Sequence, residues 1–140
     1  MSQEEANKAL FTRYIEEAWG KGNLDVMDEV LVPDYVANPY GAVGVEFMKQ
    51  DVARYRSAFP DLVITIDVLV AEDDLVVARA TMRGTHTGEW MGIQPTNKEV
   101  TLTMIGIDRV REGRIVEGWG EMGLLSLMQQ LGAVPAMNPS

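Results

Sequence analysis

The chain has 140 residues, 46% of them hydrophobic and 24% charged, which fits one globular domain able to bury a core. Asp and Glu outnumber Lys and Arg by 21 to 12, a net charge of −9 that argues against nucleic acid or an anionic membrane as partner, since both are bound through Lys and Arg. The absence of cysteine excludes disulfides, thiolate catalysis and Cys-based zinc sites, and a single histidine excludes a multi-His metal site within one chain. Phosphate-loop, dinucleotide and nucleophile-elbow motifs are also missing. The start is polar and acidic with no apolar segment after it, and no run is long enough to span a bilayer, so the expected location is the cytoplasm.

Ser2-Gln3-Glu4-Glu5 has the spacing of a capping box and predicts a helix from here. Leu10, Tyr14 and Ala18 with Phe11, Ile15 and Trp19 form its apolar stripe, and Gly20 and Gly22 end it. Asn23 is expected to cap a second, short helix with Leu24, Met27, Val30 and Leu31 on one face, stopped by Pro33. Residues 34–39 read as a brief extended segment and 41–44 as a turn. A third helix starts at Val45, with Phe47, Val52, Tyr55 and Phe59 at helical spacing, and Pro60 ends it.

Beyond Pro60 the apolar period becomes two, the mark of strands. Leu62, Ile64, Ile66, Val68 and Val70 alternate with Val63, Thr65, Asp67 and Leu69, Asp73-Asp74 is a turn, and residues 75–83 form the next strand. Residues 84–98 read as an irregular connection, 99–110 as a third strand, Glu112-Gly113 as a hairpin turn and 114–122 as a fourth strand. A short terminal helix over 124–131 closes at Gly132. Helices followed by a run of antiparallel strands indicate an α+β domain over 1–132, with helices on one face of a curved antiparallel sheet, a cone-shaped half-barrel. Residues 133–140 read as a tail. A cavity between the layers suits a small apolar molecule.

Ala58-Phe59-Pro60-Asp61-Leu62, Gly84-Thr85-His86-Thr87-Gly88-Glu89, Gly92-Ile93-Gln94-Pro95-Thr96, Gly113-Arg114-Ile115-Val116-Glu117-Gly118-Trp119 and Gln129-Gln130-Leu131-Gly132 occur in that order. Together they resemble the SnoaL-like polyketide cyclases, or ester cyclases, which have the ketosteroid-isomerase-like cone fold. The resemblance runs from the first helix to Gly132. It implies an intramolecular aldol condensation without cofactor, in which an aspartate between the Trp and the Gln-Gln-Leu-Gly ending acts as general acid/base. Counting back from that ending places this position at Gly123, and many relatives have a histidine where Asn38 stands.

Glycine cannot move a proton, so the nearest acid, Glu121, becomes the first candidate base. Strand periodicity puts Ile115, Glu117, Trp119 and Glu121 on one face, and burial beside Trp119 and Met104 would raise the Glu121 pKa into a useful range. His86 is the one side chain that ordinarily titrates near neutrality, and it could polarise a carbonyl or tie down its own turn. Asp108 interrupts the apolar alternation of Leu102, Met104 and Val110 and must find a partner or a wet cavity, which makes it the reserve carboxylate. Tyr14 and Asn38 are candidate hydrogen-bond donors, Trp119 and Met104 candidate lining, and Trp90 a candidate cover for the mouth. Glu117 is expected to pair with Arg79 or Arg109.

Three readings follow. The first is a cofactor-independent enzyme acting on a small apolar carbonyl compound by aldol-type cyclisation, isomerisation or hydrolysis. The second is a binding protein for a hydrophobic metabolite in which Gly123 marks lost chemistry. The third is an interaction protein whose open sheet face makes a homodimer or higher homo-oligomer.

Overall fold

The computed structural model describes residues 1–135, so most of the expected tail, 136–140, lies outside the described residues. Ser2 caps α1 (Gln3–Arg13) as expected, its Oγ accepting the Glu5 amide at 3.1 Å. At Tyr14 the helix widens into a π turn over Tyr14–Trp19, in which the Gly20 amide reaches back to the Ile15 carbonyl at 2.9 Å. Arg56 closes this end by donating to the carbonyls of Trp19 and Gly20.

Two local expectations are corrected. In α2 (Asp25–Val30) the cap position is Leu24, whereas the Asn23 amide continues back to the Glu17 carbonyl. Nor does Pro33 stop that helix. The chain is already extended at Leu31, where it joins Ile115, and Pro33 sits inside β1 (Leu31–Asn38). The register slips between Leu31 and Val36, so the proline, which has no N–H to give, interrupts no ladder bond. The expected turn over 41–44 contains a two-residue strand, β2 (Ala42–Val43), paired with β1. Helix α3 (Val45–Ala58) ends before Pro60 as expected.

Strands β3 (Val63–Glu72), β4 (Leu75–Thr85), β5 (Glu99–Arg111) and β6 (Arg114–Met122) form an antiparallel meander, and β1 joins β6 in parallel, giving a six-stranded sheet of order β2-β1-β6-β5-β4-β3. Helix α4 (Leu124–Gln130) follows. The helices and the inner sheet face enclose one hydrophobic core that includes Phe11, Trp19, Met27, Val52, Phe59 and Leu102. This is the α+β cone read from the sequence.

Two bulges decide which side chains face that core. In β3 the extra residue is Asp67, so Ile64, Ile66 and Leu69 face inward while Val68 and Val70 turn to the outer face, where each is 52% exposed. In β6 the extra residue is Val116: Ile115 is fully buried opposite Val110, and Glu117 then pairs with Arg109 on the outer row. Ile115 therefore does not share a face with Glu117, Trp119 and Glu121. The expected Glu117–Arg109 pair is present at 3.0 Å, with Asp74 as a second partner.

The residues that carried the family resemblance hold this frame together. Asp61 accepts both the amide and the hydroxyl of Thr85 at 2.7 Å, and these bonds hold its pKa below the usual carboxylate range. A methyl group on Gly88 would collide with the Ser57 carbonyl at the end of α3. Gln130 acts as a surrogate strand neighbour, its amide accepting from and donating to the backbone of Thr101 at 2.8 Å each.

Candidate active site

A cavity of about 430 Å³ opens between the helices and the inner sheet face, a volume in the range of small-molecule sites. The π turn contributes Tyr14, Ile15 and Trp19 to its wall. A uniform α-helix would give those three positions a different spread of directions. Across the sheet the wall is nearly bare, because Ala78, Gly106 and Gly120 stand side by side on β4, β5 and β6. Met104 and Met122 face each other in the adjoining row. Tyr55 turns its hydroxyl to the Met122 sulfur at 2.9 Å, and Trp90 packs on Tyr55 with 4.5 Å between ring centroids.

The buried acid on the wall of this space is Asp108. Residues 100, 102, 104, 106, 108 and 110 share the inward face of β5, so Asp108 is delivered to the cavity wall with only 8% of its surface exposed. Its carboxylate makes no hydrogen bond or ion pair with any described residue, and burial alone pushes its pKa up to about 7. Opposite it in the strand pairing is Gly118. A methyl group there would strike both the Asp108 Oδ1 and the Tyr35 hydroxyl, so the glycine is what lets these two oxygens come together. Tyr14 and Tyr35 are both buried, and both phenols are pushed upward, first by burial and then by the charge of Asp108. They stay protonated and remain donors throughout the neutral range.

Glu121, the first candidate from the sequence, is corrected in position. It pairs with Ile105 on the outer row and is exposed at the cavity's edge; the bulge at Val116 and the strand alternation put Met122 and Gly120 inward instead. Trp119 borders the cavity as expected, but from the outer row. Its ring lies on the outer face under the Arg109 guanidinium, 5.9 Å from the ring centroid, and is 37% exposed. Gly123 caps α4 and donates its amide to Thr103, away from the cavity wall; the bare inward position on this strand is Gly120, where a methyl group would meet nothing within 4 Å.

His86 is fully buried and does not border the cavity. Its Nδ1 accepts the Thr96 amide at 3.1 Å and meets the Thr96 hydroxyl at 3.0 Å, while the ring packs on Phe59. It ties down the 84–98 connection. Tyr14, Met104 and Trp90 line the cavity and Asn38 borders it half-buried, but Trp90, only 1% exposed, is part of the wall rather than a cover. Tyr35 was missed by sequence reasoning, although it shares one face of the extended segment with Ala37, and both are buried in β1. Asp51 and Arg54 on α3, also missed, lie at the mouth. Among the described residues no three Asp, Glu, His or Cys side chains gather as a metal site, and no helix is long and apolar enough to cross a membrane.

Comparison with known proteins agrees with this architecture. The chain is similar to TsrD from Streptomyces laurentii, with 32% identity over 96% of this chain and 99% of that one and a TM-score of 0.86. It is similar to AclR from Streptomyces galilaeus, described as a candidate hydroxylase, with 29% identity over 97% and 87% of the two chains and a TM-score of 0.88. Wild-type IdmH from Streptomyces antibioticus, described as a candidate polyketide cyclase, shares 32% identity over 94% of this chain and 99% of its own, with a TM-score of 0.78. No curated protein matches the sequence. The model of the SnoaL-like polyketide cyclases matches residues 9–131, nearly the whole of the cone that holds Asp108, and the chain belongs to that family.

Proposed function

We propose that the protein takes a small, largely apolar carbonyl compound into the cone and moves a proton beside the carbonyl, with Asp108 as general acid/base. The observation that carries this reading is the unpartnered carboxylate of Asp108, buried against a cavity and flanked by two protonated phenols. A base with pKa near 7 is available as carboxylate at neutral pH and still holds a proton well enough to return it. Asp108 takes a proton from the carbon next to the carbonyl, and the electron pair moves onto the carbonyl oxygen, where Tyr35 and Tyr14 donate hydrogen bonds to the developing charge. In the aldol version the enolate carbon attacks a second carbonyl of the same molecule, and Asp108 returns its proton to the new alkoxide. Isomerisation uses the same first step, with the proton returned to a different carbon.

The experiment is hydrogen–deuterium exchange at the methyl group of 2-acetylnaphthalene in D2O, followed by NMR. The wild type is expected to accelerate exchange and Asp108→Asn to lose that acceleration; equal rates in the two proteins would overturn the assignment. A binding role without catalysis is the second reading, supported by the bare Gly106–Gly120 pair on the cavity wall. It would be favoured if Gly120→Asp gained exchange activity that the parent lacks. We also propose that the protein works in the cytoplasm as a homodimer joined through the outer sheet face, where Val68, Val70, Ile105 and Trp119 leave apolar surface exposed. Sedimentation of Ile105→Asp as a monomer beside a dimeric parent would support that arrangement.

A further inference from the structure

The mouth of the cavity has polar chemistry that the proton-transfer reading does not use. Arg54 is the one cation among the cavity-lining residues described, where Asp51, Asp108 and Glu121 are the acids. Its guanidinium sits over the Trp90 ring, 5.8 Å from the centroid, so the planar group is braced against the cavity wall. One of its nitrogens, Nη2, is bound to Asp51, whose side chain is only 16% exposed. The remaining N–H donors of the fork make no hydrogen bond with any described residue. A guanidinium oriented at one edge by a half-buried carboxylate, braced on an aromatic face and left with free donors, has the geometry that receives a second carboxylate.

We propose that Arg54 is a specificity-determining residue that binds a carboxylate on the ligand, so that the carbonyl compound is an acid anchored at the mouth while its reactive end lies near Asp108. This deepens the proposed function and rests on it for the identity of the reactive end. The apolar stretch between the two poles, with Tyr55, Met104 and Met122, matches an apolar ligand body carrying a polar group at each end. A protein with net charge −9 repels anions in general, so a preference for an acid over its neutral analogue would have to come from a local cation.

The test measures binding of 6-acetyl-2-naphthoic acid, its methyl ester and 2-acetylnaphthalene by calorimetry at neutral pH. A charge-assisted pair predicts that the wild type binds the acid about tenfold or more tightly than either neutral compound. Arg54→Gln should erase that preference by weakening the acid alone, and Arg54→Lys should keep part of it. Equal binding of the three compounds by the wild type, failure of the acid to bind, or a preference that survives Arg54→Gln would overturn the proposal. Asp108→Asn separates the two readings: the acid preference should persist in this variant while deuterium exchange is lost. If exchange persists there, the proton-transfer assignment fails and the Arg54 assignment is judged on binding alone.

Discussion

His86 and Asp108 are both buried polar side chains, yet the fold surrounds them in different ways. His86 lies in the connection between β4 and β5, where Thr96 occupies its Nδ1, Phe59 covers the ring and the cavity described above does not reach it. Asp108 lies on the inner face of β5 with no hydrogen-bond or ion-pair partner among the described residues and a hollow in front of it. The Nδ1 bonds of His86 hold a local structure together, although its Nε2 is buried without a partner among the described residues, whereas a carboxylate set against a cavity is available to something that enters. The residue type that looks most chemical in the sequence is thus the structural one.

The largest effect expected from breaking this contrast is on Asp108. Asp108→Asn should lower proton-transfer activity by about 10²–10⁴-fold, and the parent's kcat/KM should rise with pH through about 7, where the base loses its proton. Stability should move the other way. Between the ordinary carboxylate range and about pH 7 the unfolded chain releases this proton before the folded one does, so the parent loses stability as pH rises through that window. Asp108→Asn should therefore melt higher than the parent at about pH 8.5 and equal to it near pH 4 by calorimetry.

Tyr35→Phe removes one donor beside Asp108 and should cost about 10²-fold in kcat with little change in folding. A shift of the pH midpoint would accompany it, because the Asp108 carboxylate loses a neighbouring hydroxyl. His86→Ala should instead appear as a stability loss of about 2–4 kcal/mol in denaturant unfolding, from the cavity and the freed Thr96 amide. It should leave the pH midpoint of the remaining activity where it was, and a displaced midpoint would blur the contrast. The smallest effect is expected for Glu121→Gln. An exposed carboxylate on the outer row should change exchange rates by less than about threefold, and a loss comparable to that of Asp108→Asn would return Glu121 to the mechanism.

Much of the architecture was legible because it rests on local patterns. The N-cap at Ser2, the helix end before Pro60 and the period-two runs of β4 and β5 depend on backbone preferences and on a strictly alternating face, both written in neighbouring residues. The same alternation singled out Asp108 as the polar break in an apolar row. Reading β6 by the same rule failed at one residue. Val116 is a bulge, and a single extra residue moves every later side chain to the other face, taking Glu121 and Trp119 outside and leaving Gly118 and Gly120 within.

The amino-acid order by itself determined the succession of helices and strands, the family and the presence of one acid on an otherwise apolar strand face, since these follow from spacing along the chain. The tertiary structure alone decided that this acid would lack a partner, that Tyr35 would cross from β1 to stand beside it over Gly118, and that Arg54 would brace on Trp90 at the mouth. Those outcomes depend on strand register and on which distant segments pack together. Desolvation and proximity, the quantities that turn a carboxyl group into a working base, are properties of that packing and not of any stretch of sequence.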